Sequence, residues 1–363
     1  MFKFTELKSL HLEISNNCQA SCPMCSRNVH GGQENPLLKI QNWTLKEFKT
    51  IVSKEVLNQI DSLYFCGNFG DPILNNNLID MCQYVTDTLP EADLRIHTNG
   101  SARSTKWWRD LAGVLPLTHN VVFALDGLAD TQSIYRIGTD YHQILKNATE
   151  FISSGGTAEW CFIKFKHNEH QVDDARRIAT ELGFKKFTVK NSSRFILEPK
   201  YDVKDAQGNV LYYIEPPVSN KMTFIDKSTI DNYKKIVENS TIECYSEITK
   251  EVYIDAYKNI FPCCWLAMIP YVHIEPNDYA SNIRFEIRNE YNALIDSLGG
   301  IDKLNAVNYT IEDIINSYEY QTVWSDYWGK KKLITCARTC GKMKENNLSK
   351  PSDQVIEVKQ LHE

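Results

Sequence analysis

Three cysteines stand close together near the start of the chain, as Cys18-x3-Cys22-x2-Cys25. Clustered cysteines in a chain without a secretory signal are expected to bind metal rather than to pair as disulfides. Three thiolates are one short of the four ligands that a structural zinc takes, so a zinc site here would need a fourth group such as His30. Three do suit a four-iron (4Fe-4S) cluster in which one iron has no protein ligand. Such an open iron is a place for a small molecule to bind through nitrogen and oxygen. A second group follows in the last third of the chain: Cys244, Cys263, Cys264, Cys336 and Cys340. Four of these complete a closed set, for zinc or for a second 4Fe-4S cluster, and spacing alone does not separate the two. Adjacent residues on an extended strand point opposite ways, so Cys263 and Cys264 cannot both serve. Of the eleven cysteines, Cys66, Cys82 and Cys161 stand alone and read as small buried hydrophobes.

The elements that must position these thiols are legible in the first 190 residues. Candidate strands are Leu10–Ile14, Ser62–Cys66, Asp93–Thr98, Asn120–Leu125, Ala158–Phe165 and Lys185–Lys190, rich in β-branched or aromatic residues and bounded by turn signals. Between them lie amphipathic helices. One opens at the capping box Thr44-Leu45-Lys46-Glu47 and runs to about Ile60. The others cover Leu78–Leu89, Ser104–Val114, Tyr141–Ser154 and Gln171–Leu182, the last two stopped by Gly155-Gly156 and Gly183. Six strand–helix units predict an α/β fold with a parallel sheet, too short for a full eight-unit barrel and so an open partial (β/α)6 barrel. The first cysteine group then falls in the loop after strand one, at the carboxyl end, where such folds bind ligands.

The sequence divides into this barrel over 1–190, a bridging segment over 191–240, a small α+β domain over 241–343 and a polar tail over 344–363. The bridge carries a hairpin within Tyr201–Pro217, turning at Asp205-Ala206-Gln207-Gly208-Asn209, and a helix over Ser228–Asn239. In the small domain, strands Glu251–Asp255 and Ile260–Pro262 flank a turn at Ala256–Asn259, with Cys336 and Cys340 on a turn or short helix. Helix is expected around Asn289–Ser297, and the aromatic run Tyr318–Trp328 reads as packing between the domains. Part of Ala267–Asn289 is expected to cover the substrate site, and Asn346–Glu363 to be poorly ordered.

The triad after a first strand, at the head of six β/α units, resembles the radical S-adenosylmethionine (SAM) superfamily. The resemblance implies that the open iron chelates the amino and carboxylate groups of SAM. An electron from the cluster then cleaves the sulfonium, giving methionine and a 5′-deoxyadenosyl radical that abstracts a substrate hydrogen; the protein orients and secludes this chemistry. Gly67-Asn68-Phe69-Gly70-Asp71-Pro72 is similar to the Gly-Gly-Glu-Pro of that family, which implies Gly70 and Asp71 at the SAM amino group. Thr98-Asn99-Gly100 matches the Thr-Asn-Gly beside the ribose, implicating Thr98 and Asn99. Ala124-Leu125-Asp126-Gly127 resembles Ser-x-Asp-Gly, with Ala124 lacking the usual hydroxyl and Asp126 kept. Arg136 lies where family members pair an arginine with the SAM carboxylate. Lys164 and Asn168 are further candidate SAM contacts, and Met24 takes a place beside adenine that is often aromatic.

The second cysteine group resembles the auxiliary-cluster extensions called SPASM and, when shortened, twitch domains. Their C-x9-15-G-x4-C pattern is matched by Cys244-x13-Lys258-x4-Cys263, with Lys258 where the family has glycine. On that spacing Cys244, Cys263, Cys336 and Cys340 are the ligands of one auxiliary 4Fe-4S cluster, a twitch-like arrangement. Such a cluster implies oxidation or cross-linking of a peptide, protein or small-molecule substrate, the auxiliary cluster taking the electron. A flavodoxin or ferredoxin is the expected electron donor.

Composition narrows the alternatives. At roughly 150 residues per domain, 363 residues predict two domains. Lys and Arg number 40 against 46 Asp and Glu, a net charge of −6, which disfavours a nucleic-acid partner and hence an RNA- or nucleotide-modifying enzyme. A non-catalytic zinc or iron–sulfur scaffold is the other alternative, against which the intact triad and Arg136 stand. No apolar run approaches the ~20 residues that span a bilayer, so no membrane partner is expected, and the N-terminus lacks a secretory signal, which predicts a cytoplasmic address. No recognition domain precedes the first strand, so leader-peptide binding in cis is not expected.

Overall fold

The computed structural model describes residues 1–195, 200–219, 237–274, 281–343 and 355–362. Six parallel strands form its first half: β1 (Ser9–Leu12), β2 (Ser62–Phe65), β3 (Asp93–Thr98), β4 (Asn120–Ala124), β5 (Thr157–Lys164) and β6 (Lys186–Asn191). One set of alternating side chains on these strands joins the main core, among them Leu10, Leu12, Phe65, Ile96, Phe123, Trp160 and Phe187. Burying each contributes about 1.5–3 kcal/mol, and the helices outside the sheet supply the other half of those contacts.

The helices follow their caps: α1 (Leu45–Ile51), α2 (Lys54–Gln59), α3 (Leu78–Thr88), α4 (Thr105–Val114), α5 (Tyr141–Ser153) and α6 (Val172–Glu181). The single helix expected from Thr44 to about Ile60 is two. The chain leaves helical geometry at Val52, and the Ser53 hydroxyl then accepts from Val56 N to start α2. A serine can satisfy a new helix start as readily as it interrupts an old one. Gly155 and Gly183 take positive φ where α5 and α6 end.

The hairpin β7 (Tyr201–Lys204) and β8 (Val210–Ile214) forms where the sequence places it. The strands expected in a separate small domain, β9 (Glu251–Ile254) and β10 (Ile260–Phe261), instead extend the barrel sheet. β9 lies parallel to β1, Leu10 opposite Val252, and β10 turns back antiparallel. The boundary near residue 241 is therefore no seam in the sheet. β11 (Val355–Gln360) pairs antiparallel with β6, so this stretch of the expected tail is an ordered edge strand. Both additions answer one need, since a sheet edge leaves a row of backbone donors and acceptors unpaired. The nine strands run β10-β9-β1-β2-β3-β4-β5-β6-β11.

The remaining helices are α7 (Ser281–Ser297), longer than expected, α8 (Tyr318–Gly329) over the aromatic run, and α9 (Ile334–Cys340), which carries Cys336 and Cys340. Most of the expected helix over 228–239, and residues 344–354 of the tail, lie outside the described residues. Among the described residues no helix is long and apolar enough to cross a membrane.

Candidate active site and metal centres

Cys18, Cys22 and Cys25 lie on the loop that leaves β1, and all three thiols are free. Neighbouring loops pin this one, Asp71 N donating to Asn17 O and Ser21 N to Ile137 O at 2.8 Å each, and Arg27 Nη1 closes it on itself by donating to Asn16 O at 2.8 Å. The hairpin β7–β8 lies over it. Val203 and Ile214 pack in one apolar cluster with Ala20, Cys22 and Met24. His30 is taken up by that hairpin, its Nδ1 2.8 Å from the Asp202 carbonyl and its ring stacked on Tyr201.

Donors stand beside two of the three thiols. Asn99 Nδ2 lies 3.6 Å from Cys18 Sγ, and Arg136 Nη1 3.9 Å from Cys22 Sγ. Burial pushes the Cys22 thiol up to about 11 in spite of Arg136. Cys18 is raised further, by burial and then by Asp71 and the other thiols. Among the described residues no three Cys, His, Asp or Glu side chains converge as they would around a single ion. The fit to a cluster rests on three free thiols on one loop, with polar donors beside two of them.

The residues expected around SAM prove to be a connected frame. Gly70 tolerates no side chain, since a Cβ would come within 1.8 Å of Ser15 O, in the stretch between β1 and the triad. Asp71 is buried and fully engaged: one carboxylate oxygen accepts from Thr98 Oγ1 at 3.0 Å and Asn99 N at 2.7 Å, the other from Ile73 N. It braces the loop after β2 against the loop after β3. Thr98 Oγ1 also accepts from Gly100 N, so its proton is committed to Asp71 and one lone pair to the turn. Asn99 Oδ1 accepts from Gln19 Nε2 at 2.6 Å.

Asp126 accepts from Arg136 Nε at 2.6 Å and from Ile163 N at 2.7 Å. Burial works against the Arg136 charge, but Asp126 and the Cys22 thiol outweigh it and hold its pKa above the usual arginine value. Arg136 thus reaches the triad with one nitrogen already committed to Asp126. Asn168 ties the ends of β4 and β5 together, giving its amide protons to Asp126 O and Ile163 O and accepting from Phe165 N; it is a brace. Lys164 Nζ turns to Ser219 Oγ at 3.2 Å. Met24 is buried in the apolar cluster under the hairpin, and Ala124, half-buried, ends β4.

Sequence reasoning missed the residue that holds the Gly70 loop. Glu13 accepts from Phe69 N at 2.7 Å, Gly70 N at 3.0 Å and the Tyr253 hydroxyl at 2.6 Å. Burial pushes its carboxyl up to about 7. A signal was present: Ser9, His11 and Glu13 alternate with Leu10, Leu12 and Ile14, so β1 turns a polar face inward. That inner face continues through His11 stacked on Tyr64 at 4.1 Å and Tyr64 OH donating to Glu251 at 3.0 Å. Cys66 and Cys161 lie within reach of the Lys190 charge; Cys161 is buried as expected, whereas Cys66 is half-buried. Cys82 is in the apolar core as expected. Of the expected cover over Ala267–Asn289, the turn at Ile269–Tyr271 does lie on the Gly70 loop, Tyr271 meeting Phe69 at 5.4 Å; residues 275–280 are outside the described ones.

The second group of thiols is drawn together from three elements. Cys244 precedes a short helix, Cys263 follows β10, and Cys336 and Cys340 lie one turn apart on α9. Burial, and then one another's proximity, raise Cys244 and Cys263 to about 12 and Cys336 higher still. Cys264 turns the other way, toward Cys66, Glu251 and Glu13 on the barrel's inner face. Lys258, where the family pattern has glycine, takes φ +71°, the left-handed conformation that glycine adopts freely. Its Nζ is held at 2.9 Å from Glu47.

No family model matches the sequence, and neither does any curated protein. Solved structures do match. Polyhistidine-tagged anSMEcpe with bound AdoMet (SAM) aligns with a TM-score of 0.52 at 14% identity, over 95% of this chain and 90% of that one. Native anSMEcpe with bound AdoMet and Kp18Cys peptide aligns at 0.50 and 14% identity, over 94% and 92%. Streptococcus suis SuiB bound to S-adenosylmethionine aligns at 0.48 and 16% identity, over 72% of this chain; the chain spans only 61% of SuiB. At these identities the likeness is one of fold. The chain has the radical SAM fold, and the match to anSMEcpe runs through the C-terminal part as well as the barrel.

Proposed function

We propose that this chain, whose fold is the radical SAM fold, is a radical SAM enzyme that modifies a peptide, protein or small molecule by hydrogen abstraction. The observation that carries the reading is the trio of free thiols, Cys18, Cys22 and Cys25, on one loop above the carboxyl ends of parallel strands. In this reading the triad holds a 4Fe-4S cluster with an open iron, and SAM bound there supplies a 5′-deoxyadenosyl radical on reduction.

The chain's own residues do the rest. Asn99 and Arg136 direct N–H groups at Cys18 and Cys22 and offset thiolate charge. Asp71, Asp126, Asn168 and Glu13 lock the loops after β1, β2, β3 and β4 to one another, so that backbone groups around Gly70 stand ready for the SAM amino group. The hairpin β7–β8 keeps water off the triad loop. The polar inner face of the barrel, with His11, Tyr64, Cys161 and Lys190, is the surface offered to substrate.

In the same reading Cys244, Cys263, Cys336 and Cys340 hold an auxiliary cluster that takes the substrate's electron, and a flavodoxin or ferredoxin serves as donor. A peptide substrate draws support from anSMEcpe, seen with AdoMet and the Kp18Cys peptide in the same fold. Anaerobically reconstituted protein is expected to hold about eight irons and to release 5′-deoxyadenosine from SAM with dithionite. Cys18, Cys22 and Cys25 replaced together by Ala should abolish that release and leave about four irons. Stoichiometric zinc without SAM cleavage would overturn the reading.

A further inference from the structure

We propose that the inward side of α8 is a wall of hydrogen-bond donors for the second metal centre, and that this wall favours the centre's reduced state. The inference rests on the reading of Cys244, Cys263, Cys336 and Cys340 as cluster ligands. Tyr320, Trp324 and Trp328 recur every fourth residue, which puts them on one side of the helix. Tyr320 and Trp324 are wholly buried. Their rings pack in series, Tyr320 to Trp324 at 5.7 Å and Trp324 to Trp328 at 6.0 Å.

Packing accounts for the rings but not for their polar tips. The Tyr320 hydroxyl and the indole N–H groups of Trp324 and Trp328 are all buried without a partner among the described residues. The other wholly buried tryptophans avoid this. Trp43, Trp108 and Trp160 each give their indole N–H to a backbone carbonyl, and Tyr253 gives its hydroxyl to Glu13. Buried donors in native proteins are paired as a rule, so three orphans on one helix side point to an acceptor that the neutral thiols do not provide.

Two of the three lie beside the thiol group. Tyr320 is close enough to Cys244 and Cys263 to feel their charge, and the Trp328 indole N–H is aimed at the Cys336 thiol in a contact looser than a full hydrogen bond. Thiolate and sulfide sulfurs are acceptors with spare lone pairs. Reduction puts one more negative charge on those sulfurs, so fixed N–H and O–H dipoles stabilise the reduced form more than the oxidised one. A centre walled in this way is suited to taking an electron.

The test is a potentiometric titration of reconstituted, full-length protein followed by electron paramagnetic resonance. The second centre's signal is the one that SAM leaves unchanged. Tyr320→Phe deletes only a hydroxyl, and Trp328→Phe only the indole N–H side of a half-buried ring. Each is expected to lower the reduction constant of that centre about tenfold, or about 59 mV for one electron, with iron content unchanged. Tyr318→Phe, on the exposed side of the same helix, should shift nothing. Unshifted midpoints in both variants, at full iron content, would overturn the wall while leaving the cluster reading intact. Zinc in place of the second signal would overturn that reading, and the wall with it. Should Trp328→Phe fail to load iron, the isosteric Tyr320→Phe still decides.

Discussion

Replacing Glu13 by glutamine probes how the loop bearing Gly70 is held. The Glu13 carboxyl is buried and accepts from the Phe69 and Gly70 amides and from Tyr253. Burial pushes its pKa from 4.5 up to about 7. A carboxyl whose folded pKa lies above its unfolded value keeps its proton more tightly when folded. Folded-state stability therefore falls as pH rises between the two values and levels off above the higher one. The rise from 4.5 to about 7 corresponds to about 3 kcal/mol. Glutamine fills the same space, retains an acceptor for the two amides and cannot ionise. The stability of Glu13→Gln relative to the parent should thus improve by about 3 kcal/mol between pH ~4.5 and ~7.5 and stay level beyond. Urea unfolding followed by tryptophan fluorescence, under anaerobic conditions at matched pH, measures the difference. Glu13→Ala should instead lose about 1–3 kcal/mol for each amide left without an acceptor, at every pH. A glutamine-to-parent difference that does not move with pH would refute the cause assigned here, the burial of a charge.

Three further outcomes follow from single contacts. Arg136→Ala leaves the buried Asp126 carboxylate unpaired and should destabilise the protein by about 3–5 kcal/mol, partly recovered by adding Asp126→Asn, as thermal unfolding can show. Cys263→Ala should drop the iron content from about eight to about four while Cys264→Ala leaves it unchanged, since only Cys263 faces the other three thiols. Lys258→Gly should be about 1–2 kcal/mol more stable than Lys258→Ala, because both lose the contact to Glu47 but only glycine takes φ +71° without strain; equal stabilities would remove the left-handed turn as the reason for the family's glycine.

Much of the frame was legible because it is local. Strand β3 spans Asp93–Thr98 as its residue types and bounding turn signals predict, and α4 begins after Ser104 because that serine caps Trp107 N. The motif loops after β1, β2, β3 and β4 stand where the residue types place them. Their side chains, however, bond mainly to one another: Asp71 to Thr98 and Asn99, Asp126 to Arg136, Asn168 across two strand ends. A motif names residues that matter at a ligand site without saying which touch the ligand and which hold the ones that do.

The sequence by itself determined the α/β repeat, the loop on which three thiols cluster and the existence of a second thiol group, because spacing and periodicity are properties of neighbours along the chain. Only the tertiary structure decided that β9 extends the barrel sheet beside β1 and that Glu13 and Tyr253, 240 residues apart, share one bond. Those choices turn on which face of a strand meets which distant partner, and a strand's two faces are equivalent until something packs against one of them.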